Sequence, residues 1–321
     1  MKNAVFEQNI VNQVFAVFLL FAGTCFSFYF LYLLTSRKQG LFQRLFPVER
    51  RRPVPWNIID AVMIFVFSFL IGAFCFNGIL PKDFNSVQPA HSSQTAASEN
   101  SEELKNAHPL AVLIVKGKEN PAILLLCFLT ACVGAPLCEE FLFRVVLQGS
   151  LEAVEMDWRR RVLPLKSITP GLFPVLWTAF FFAMVHWREP ETSSSLLFDS
   201  TYLTYFFSAQ LMSSLLTIVF GIFYLKVFRK AAWRDLGFHQ NKVVFTEIKG
   251  VCFAYFPVCL LMITLLVPLQ ILLPHAVVDQ VPLMLFAMTL GIIFFRTHRI
   301  LPILLFHSLH NTITFVILSV F

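Results

Sequence analysis

The sequence predicts an all-α polytopic membrane protein, a transmembrane helical bundle of about eight spans. Three observations predict it: 57% of the 321 residues are apolar, only 14% are charged, and the mean hydropathy is +0.71. Soluble domains have about a quarter of their residues charged, so this chain lacks the charge to cover a surface in water. The apolar runs show no period-two alternation, which favours helices over a β-barrel.

Eight windows of about 20 apolar residues, the length that crosses the hydrocarbon core of a bilayer, are candidate spans. The fourth and seventh windows are short and need flanking residues to reach across. The first is too long for the apolar core of a signal peptide, and no cleavage-like site follows it, so we expect it to remain as an anchor. The windows cover residues 10–34, 57–80, 121–149, 172–187, 202–228, 248–273, 281–295 and 300–321.

Basic residues are concentrated in alternate loops. Of the 25 Lys and Arg residues, 18 lie in the four loops 35–56, 150–171, 226–249 and 296–299. Loops rich in Lys and Arg face the cytoplasm, so both termini and the polar loop 81–120 are predicted to be extracytoplasmic. The net charge of +6 then reflects topology. The expected partners are membrane lipids, and no nucleic-acid partner is needed.

Ionisable residues inside the spans are the candidates for function, because each costs roughly 2.5–3.5 kcal/mol at a helix centre. The third span contains Glu139 and Glu140, with Arg144 four residues after Glu140 and Pro136 just before the acids. Residues four apart share a helix face, so Glu140 can pair with Arg144 while Glu139 points about 100° away. The structural alternative is a Glu140–Arg144 bridge that locks helices together. It leaves Glu139 unexplained, which makes Glu139 a candidate proton acceptor.

Histidines in two other spans supply further polar groups. Phe182 precedes His186 by four residues near the end of the fourth span, an arrangement that on its own is typical of packing at a membrane boundary. In the last span His307 and Asn311 are four apart, and His310 lies on the edge of the same face. These side chains could bridge helices by hydrogen bonds, ligate a metal or donate to an oxyanion.

The ordered motifs E-E-x-x-x-R, F-x-x-x-H and H-x-x-x-N resemble those of the CAAX protease and bacteriocin-processing (CPBP, or Abi) family of intramembrane metalloproteases. The resemblance covers residues 121–321, where it implies a peptidase domain. Residues 1–120 would then form N-terminal transmembrane helices and the extracytoplasmic loop. The matching residues are Glu139, Glu140, Arg144, Phe182, His186, His307 and Asn311.

The resemblance implies a glutamate-dependent endopeptidase that hydrolyses a peptide bond of a membrane-associated or lipidated protein or peptide. Glu139 would activate the water with help from His186, while His307 and Asn311 would hold a metal or stabilise the oxyanion. A zinc ion held by Glu139, His186 and His307 is one alternative, and catalysis by the same groups without an ion is the other. The candidate catalytic residues are Glu139, Glu140, His186, His307 and Asn311, oriented or supported by Arg144, Phe182 and His310.

Two other functions come from different classes. One is a non-catalytic membrane scaffold or bacteriocin-immunity-type member, and the other is a proton-coupled transporter that uses Glu139 as its proton site. The joint presence of the motif residues favours the peptidase. For it we expect Glu139, His186, His307 and Asn311 to converge within about 4–8 Å in a water-accessible cavity. The expected location is a bacterial inner membrane.

Overall fold

The computed structural model of the protein describes residues 46, 49, 53–79, 120–161, 169–186, 200–238, 244–272 and 280–320. These ranges contain seven helices and no strand, which confirms the all-α prediction. The helices are α1 (Ile58–Ile79), α2 (Pro121–Arg161), α3 (Leu172–Val185), α4 (Ser200–Val227), α5 (Val244–Leu272), α6 (Gln280–Thr297) and α7 (Ile300–Val320).

Four stretches are helical, long and apolar enough to cross a membrane: Ile58–Ile79, Pro121–Arg161, Leu203–Val227 and Ile300–Ser319. Helices α3 and α6 are apolar but shorter, as predicted for the fourth and seventh windows. The first predicted window, 10–34, lies outside the described residues. The four long apolar helices make the chain an integral membrane protein.

Large apolar side chains on the outer surface support the same conclusion. On α1, Phe69 is 77% exposed and Phe74 is 75% exposed. Apolar surface of this kind suits lipid and would be costly in water.

Helix α2 continues beyond its predicted end. The apolar window stops at residue 149, but the helix runs unbroken to Arg161. The extension carries ion pairs one turn apart, between Arg159 and Glu155 at 2.7 Å and between Arg161 and Asp157 at 3.2 Å, and such pairs stabilise a helix. The prediction of a loop from residue 150 was therefore wrong over 150–161, because hydropathy marks the membrane boundary and not the end of the helix.

The described residues fall into two compact units. We name each unit after two of its helices, and the names are not ranges. The α1–α4 unit comprises α1, residues 121–150 of α2, α4, and the part of α7 from His307 onward. The α3–α6 unit comprises residues 151–161 of α2, α3, α5, α6, and the part of α7 up to Phe306. The first unit thus holds Glu139, Glu140, Arg144, His307, His310 and Asn311, and the second holds Phe182 and His186.

In the α1–α4 unit, α1 packs along α4. Ser68 Oγ and Thr217 Oγ1 lie 3.2 Å apart between the two helices. At the start of α1 the carboxylate of Asp60 is fully buried. Asp60 Oδ1 accepts hydrogen bonds from the Tyr224 hydroxyl at 2.8 Å and from Arg229 Nε at 2.7 Å. A buried carboxylate with these partners is satisfied, so it fixes the first turn of α1 to the end of α4.

In the α3–α6 unit, Arg299 joins two separate parts of the chain just before α7. Its Nη1 donates to Glu247 Oε1 at 2.9 Å and its Nε donates to Glu49 Oε1 at 3.1 Å. Burial alone would lower the pKa of Arg299, but the hydrogen bonds to Glu49 and Glu247 outweigh it and raise the pKa. The guanidinium therefore stays charged and holds the Glu49 side chain close to Glu247 at the start of α5.

The start of α3, also in the α3–α6 unit, requires a glycine. Gly171 has φ +84°, and a Cβ on it would lie 1.8 Å from the Phe295 ring. Its N–H donates to both oxygens of the Glu155 carboxylate at 3.0 Å, so a buried anion caps the helix N-terminus. This junction sets the position of α3 within its unit.

Candidate active site

Helix α2 contains two π-helical segments, one on each side of the acidic pair. The segments Leu129–Gly134 and Phe141–Gln148 are π-helical, and Ala135–Glu140 between them is α-helical. π turns are rare and frequently occur at functional sites. Sequence reasoning did not predict them. The available signal was Pro136, which lacks an N–H and disturbs the usual i to i−4 ladder.

Glu140 joins the two helices that form the site. Its Oε2 lies 3.2 Å from Arg144 Nε, with both side chains fully buried, which confirms the predicted pairing. Its Oε1 lies 2.8 Å from His307 Nδ1 on α7. A carboxylate paired with a guanidinium accepts hydrogen bonds, so the proton in this contact belongs to Nδ1 of the imidazole. Glu140 therefore fixes both the tautomer and the orientation of His307.

Glu139 lies on the opposite edge of the same imidazole. Its Oε2 is 3.6 Å from His307 Nε2, and its side chain is 25% exposed, whereas Glu140 is fully buried. The separation exceeds that of a hydrogen bond and allows one small molecule to contact both atoms. The two neighbouring glutamates thus have different surroundings. Glu140 is enclosed between Arg144 and His307, while Glu139 is accessible.

The other polar residues of α7 lie further along the same helix. Asn311 Nδ2 donates to the main-chain carbonyl of Ala131 at 2.8 Å, and Phe315 meets Phe128 with ring centroids 5.5 Å apart. Contacts at His307, Asn311 and Phe315 therefore run along α2. In this structure Asn311 makes the interhelical hydrogen bond that was one of its predicted alternatives. His310 is half-buried.

Phe182 and His186 lie in the α3–α6 unit, at the C-terminal end of α3. His186 Nδ1 is 2.7 Å from the Phe182 carbonyl oxygen, and the two rings stack with centroids 4.4 Å apart. A carbonyl only accepts, so Nδ1 carries the hydrogen and the lone pair of the neutral ring is on Nε2. Phe182 therefore orients His186 through both its ring and its main chain. The expected convergence of His186 with Glu139 stays a prediction.

Zinc is a cofactor that the family resemblance implies. Among the described residues, no group of three or more His, Cys, Asp or Glu side chains is placed to hold a metal ion. In the α1–α4 unit, Glu139 Oε2 and His307 Nε2 are two ligand-type atoms 3.6 Å apart, whereas zinc sites use three or four protein ligands. This pair does not make a zinc site by itself. The metal stays a prediction.

The packing beside Glu140 depends on a glycine of α4. A Cβ on Gly221 would lie 2.4 Å from Cε1 of Phe141, whose ring is buried next to the acidic pair. We expect Gly221→Ala to displace that ring and to lower the free energy of unfolding by about 1–3 kcal/mol. Thermal and denaturant unfolding in detergent measure this effect.

Gly78→Ala is the matched control, because nothing lies within 4 Å of a Cβ at that position of α1. Alanine is a better helix former than glycine, so this change should leave stability unaltered or raise it slightly. Equal loss of stability in both variants would contradict the role assigned to the Gly221–Phe141 contact.

Comparison with known protein families finds a match that includes the acidic pair of α2. Residues 121–234 match the model of a protease family, described as "Rce1-like: Type II CAAX prenyl endopeptidase Rce1-like". No curated protein and no solved structure matches the chain. The matched range contains Glu139, Glu140, Arg144, Phe182 and His186, and ends before α7. Over residues 121–234, which contain the E-E-x-x-x-R and F-x-x-x-H motifs but not H-x-x-x-N, the resemblance is confirmed: there this membrane protein matches the Rce1-like family of CAAX prenyl endopeptidases.

Proposed function

We propose that this chain is an intramembrane endopeptidase that hydrolyses a peptide bond of a membrane-associated or lipidated protein, using water activated by Glu139. The observation that carries the proposal is the placement of His307 between the two glutamates. Its Nδ1 is held by Glu140 at 2.8 Å, and its Nε2 faces Glu139 at 3.6 Å. A carboxylate beside an oriented imidazole nitrogen is an arrangement suited to general acid–base chemistry.

The different roles proposed for Glu139 and Glu140 follow from their different surroundings. Glu140 interacts with Arg144 and His307 in a fully buried position, so it acts as the positioning group for the imidazole. Glu139 has a partly exposed carboxylate that a water molecule can reach. The proton acceptor in the proposed reaction is therefore Glu139.

In the proposed reaction Glu139 takes a proton from water, and the water oxygen bonds to the scissile carbonyl carbon. Negative charge then develops on the carbonyl oxygen. His307 keeps its Nδ1 proton on the side of Glu140 and presents Nε2 to the reacting groups, so in its doubly protonated imidazolium form it would donate a hydrogen bond from Nε2 to that oxygen. When the C–N bond breaks, the proton held by Glu139 passes to the leaving nitrogen. The products are an amine and a carboxylic acid, which then loses its proton to the solvent.

The F-x-x-x-H motif supports a role for His186 in assisting Glu139 to activate the water. Its neutral ring has the lone pair on Nε2, because Nδ1 donates to Phe182. No step above requires a metal ion. The zinc alternative, with Glu139, His186 and His307 as the ligands, stays a prediction.

The substrate class and the orientation of the protein are also proposals. The matched family model is described as a prenyl endopeptidase, which supports a lipid-modified peptide as the substrate. The distribution of basic loops supports extracytoplasmic termini. A bacterial inner membrane stays a prediction.

The proposal is tested with the purified full-length chain in proteoliposomes. A synthetic peptide with a prenylated cysteine near its C-terminus is compared with the same peptide lacking the lipid, and the products are identified by mass spectrometry. We expect one internal peptide bond to be cut in the lipidated peptide, because the lipid brings the bond to the membrane. Vesicles without protein are the control.

Failure to cut the lipidated peptide or a single-span transmembrane peptide above this background would contradict the endopeptidase proposal. Equal cutting of the lipidated and unlipidated peptides would contradict the lipid-linked substrate class while leaving peptidase activity established.

A further inference from the structure

We propose that Asn311 is a positioning residue: its side-chain amide supplies to the Ala131 carbonyl the hydrogen bond that Pro136 cannot give. In this role Asn311 fixes the irregular turn of α2 that leads into the acidic pair. The assignment differs from the oxyanion or metal role implied by the family motif. It depends on the proposed function only where activity is the readout.

The argument begins with the main-chain hydrogen bonds of α2. Ala131 lies in the π-helical segment Leu129–Gly134, where a carbonyl is paired with the N–H five residues later. For Ala131 that residue is Pro136, which has no N–H. The N–H four residues later, on Ala135, donates to Thr130 instead. The Ala131 carbonyl therefore has no backbone donor at either spacing, because Pro136 has no N–H and the N–H of Ala135 is used by Thr130.

Asn311 provides a donor at this position. Its Nδ2 lies 2.8 Å from the Ala131 oxygen, a normal length for an N–H···O bond. An unsatisfied carbonyl inside a membrane is costly, and prolines are tolerated in membrane helices when side chains of neighbouring helices satisfy the released groups. The amide of Asn311 on α7 thus satisfies the carbonyl on α2 that Pro136 leaves without a main-chain donor.

The position of this bond connects it to the chemistry. On α7, Asn311 is one turn beyond His307, and His307 contacts both Glu139 and Glu140. On α2, the carbonyl that accepts from Asn311 lies just before Ala135–Glu140, the segment that carries both acids. Two successive turns of α7 therefore contact the irregular turn and the acids that follow it. Loss of the Asn311 bond would let Glu139 shift relative to His307.

A double-mutant cycle between Asn311 and Pro136 tests the proposal. Asn311→Ala removes the donor, and we expect cleavage to fall by about a hundredfold, as for a displacement of about 1 Å in an active site. The loss should appear in kcat with little change in KM, and the unfolding temperature in detergent should fall as well. Pro136→Ala restores a backbone N–H five residues after Ala131 and should retain most of the activity.

In the double variant Asn311→Ala/Pro136→Ala, we expect kcat to recover to within about threefold of Pro136→Ala alone, since the two positions are energetically coupled. The unfolding temperature should recover in parallel. If Asn311→Ala does not accumulate in folded form, the prediction is that the added Pro136→Ala change restores folding.

Two results would overturn the proposal. If the double variant is as impaired as Asn311→Ala in both kcat and unfolding temperature, the amide does not act through the Ala131 carbonyl. If the unfolding temperature recovers while kcat does not, Asn311 contributes to the reaction directly. The unfolding measurements need no substrate, so they test the bond even if the endopeptidase proposal fails.

Discussion

Glu139→Gln is expected to lower the rate of peptide cleavage by about 10²–10⁴-fold, the contribution typical of a general base. Glutamine has the shape of glutamate but cannot accept the proton of the attacking water. The Glu139 side chain is 25% exposed and is not part of the buried Glu140–Arg144 pair, so the fold should persist. Initial rates in proteoliposomes measure the loss, and circular dichroism and unfolding temperature verify the fold.

The matched control is Asp157→Asn, which removes a carboxylate from the same helix. Asp157 is 56% exposed and pairs with the exposed Arg161, away from the acidic pair in sequence. This variant should cleave at the wild-type rate. Wild-type activity in Glu139→Gln, or an equal loss in Asp157→Asn, would remove Glu139 from its assigned role. His307→Ala should also lower the rate of peptide cleavage.

Arg144→Met is expected to give the largest loss of stability, about 3–5 kcal/mol, because it leaves the charge of Glu140 buried without its cation. Both side chains of this pair are fully buried. Denaturant unfolding in detergent measures the free energy. Arg161→Ala is the control, since it removes an exposed pair on the same helix with side chains 76% and 56% exposed and should cost at most about 1 kcal/mol.

A second substitution separates stability from activity. Glu140→Gln in the Arg144→Met background removes the stranded charge, so much of the lost stability should return. Cleavage should remain low, because His307 Nδ1 no longer has a carboxylate to hold it. If the double variant is no more stable than Arg144→Met, the buried charge of Glu140 is not the cause of the instability. Full activity in the double variant would contradict the positioning role of Glu140.

The sequence predicted the parts of the site that depend on local spacing. The four-residue interval between Glu140 and Arg144 was enough to predict their bridge, because it places them on one helix face. Apolar windows also located helices α1 to α7, since in lipid the helix is one of two backbone structures that satisfy their own hydrogen bonds. The hydrophilic extension of α2 to Arg161 was missed, because ion pairs and not hydropathy stabilise it.

Contacts between distant parts of the chain could not be predicted in this way. Hydropathy does not distinguish an α turn from a π turn, so the register changes on both sides of Glu139 left no signal except Pro136. The Glu140–His307 contact joins residues 167 positions apart and depends on how α7 packs against α2. The Asn311–Ala131 bond joins residues 180 positions apart, and it too depends on how α7 packs against α2.

The most direct test of the central claim, that Glu139 activates water to cut a peptide bond, is a single-turnover cleavage in H₂¹⁸O. The wild-type protein should release a product with one ¹⁸O atom in its new carboxylate, and the Glu139-containing peptide, recovered from the protein, should carry no label. Glu139→Gln should release almost no product. Label found in the Glu139 carboxyl group would indicate that Glu139 attacks the substrate itself. That result, or labelled product at the wild-type rate from Glu139→Gln, would contradict the proposed mechanism.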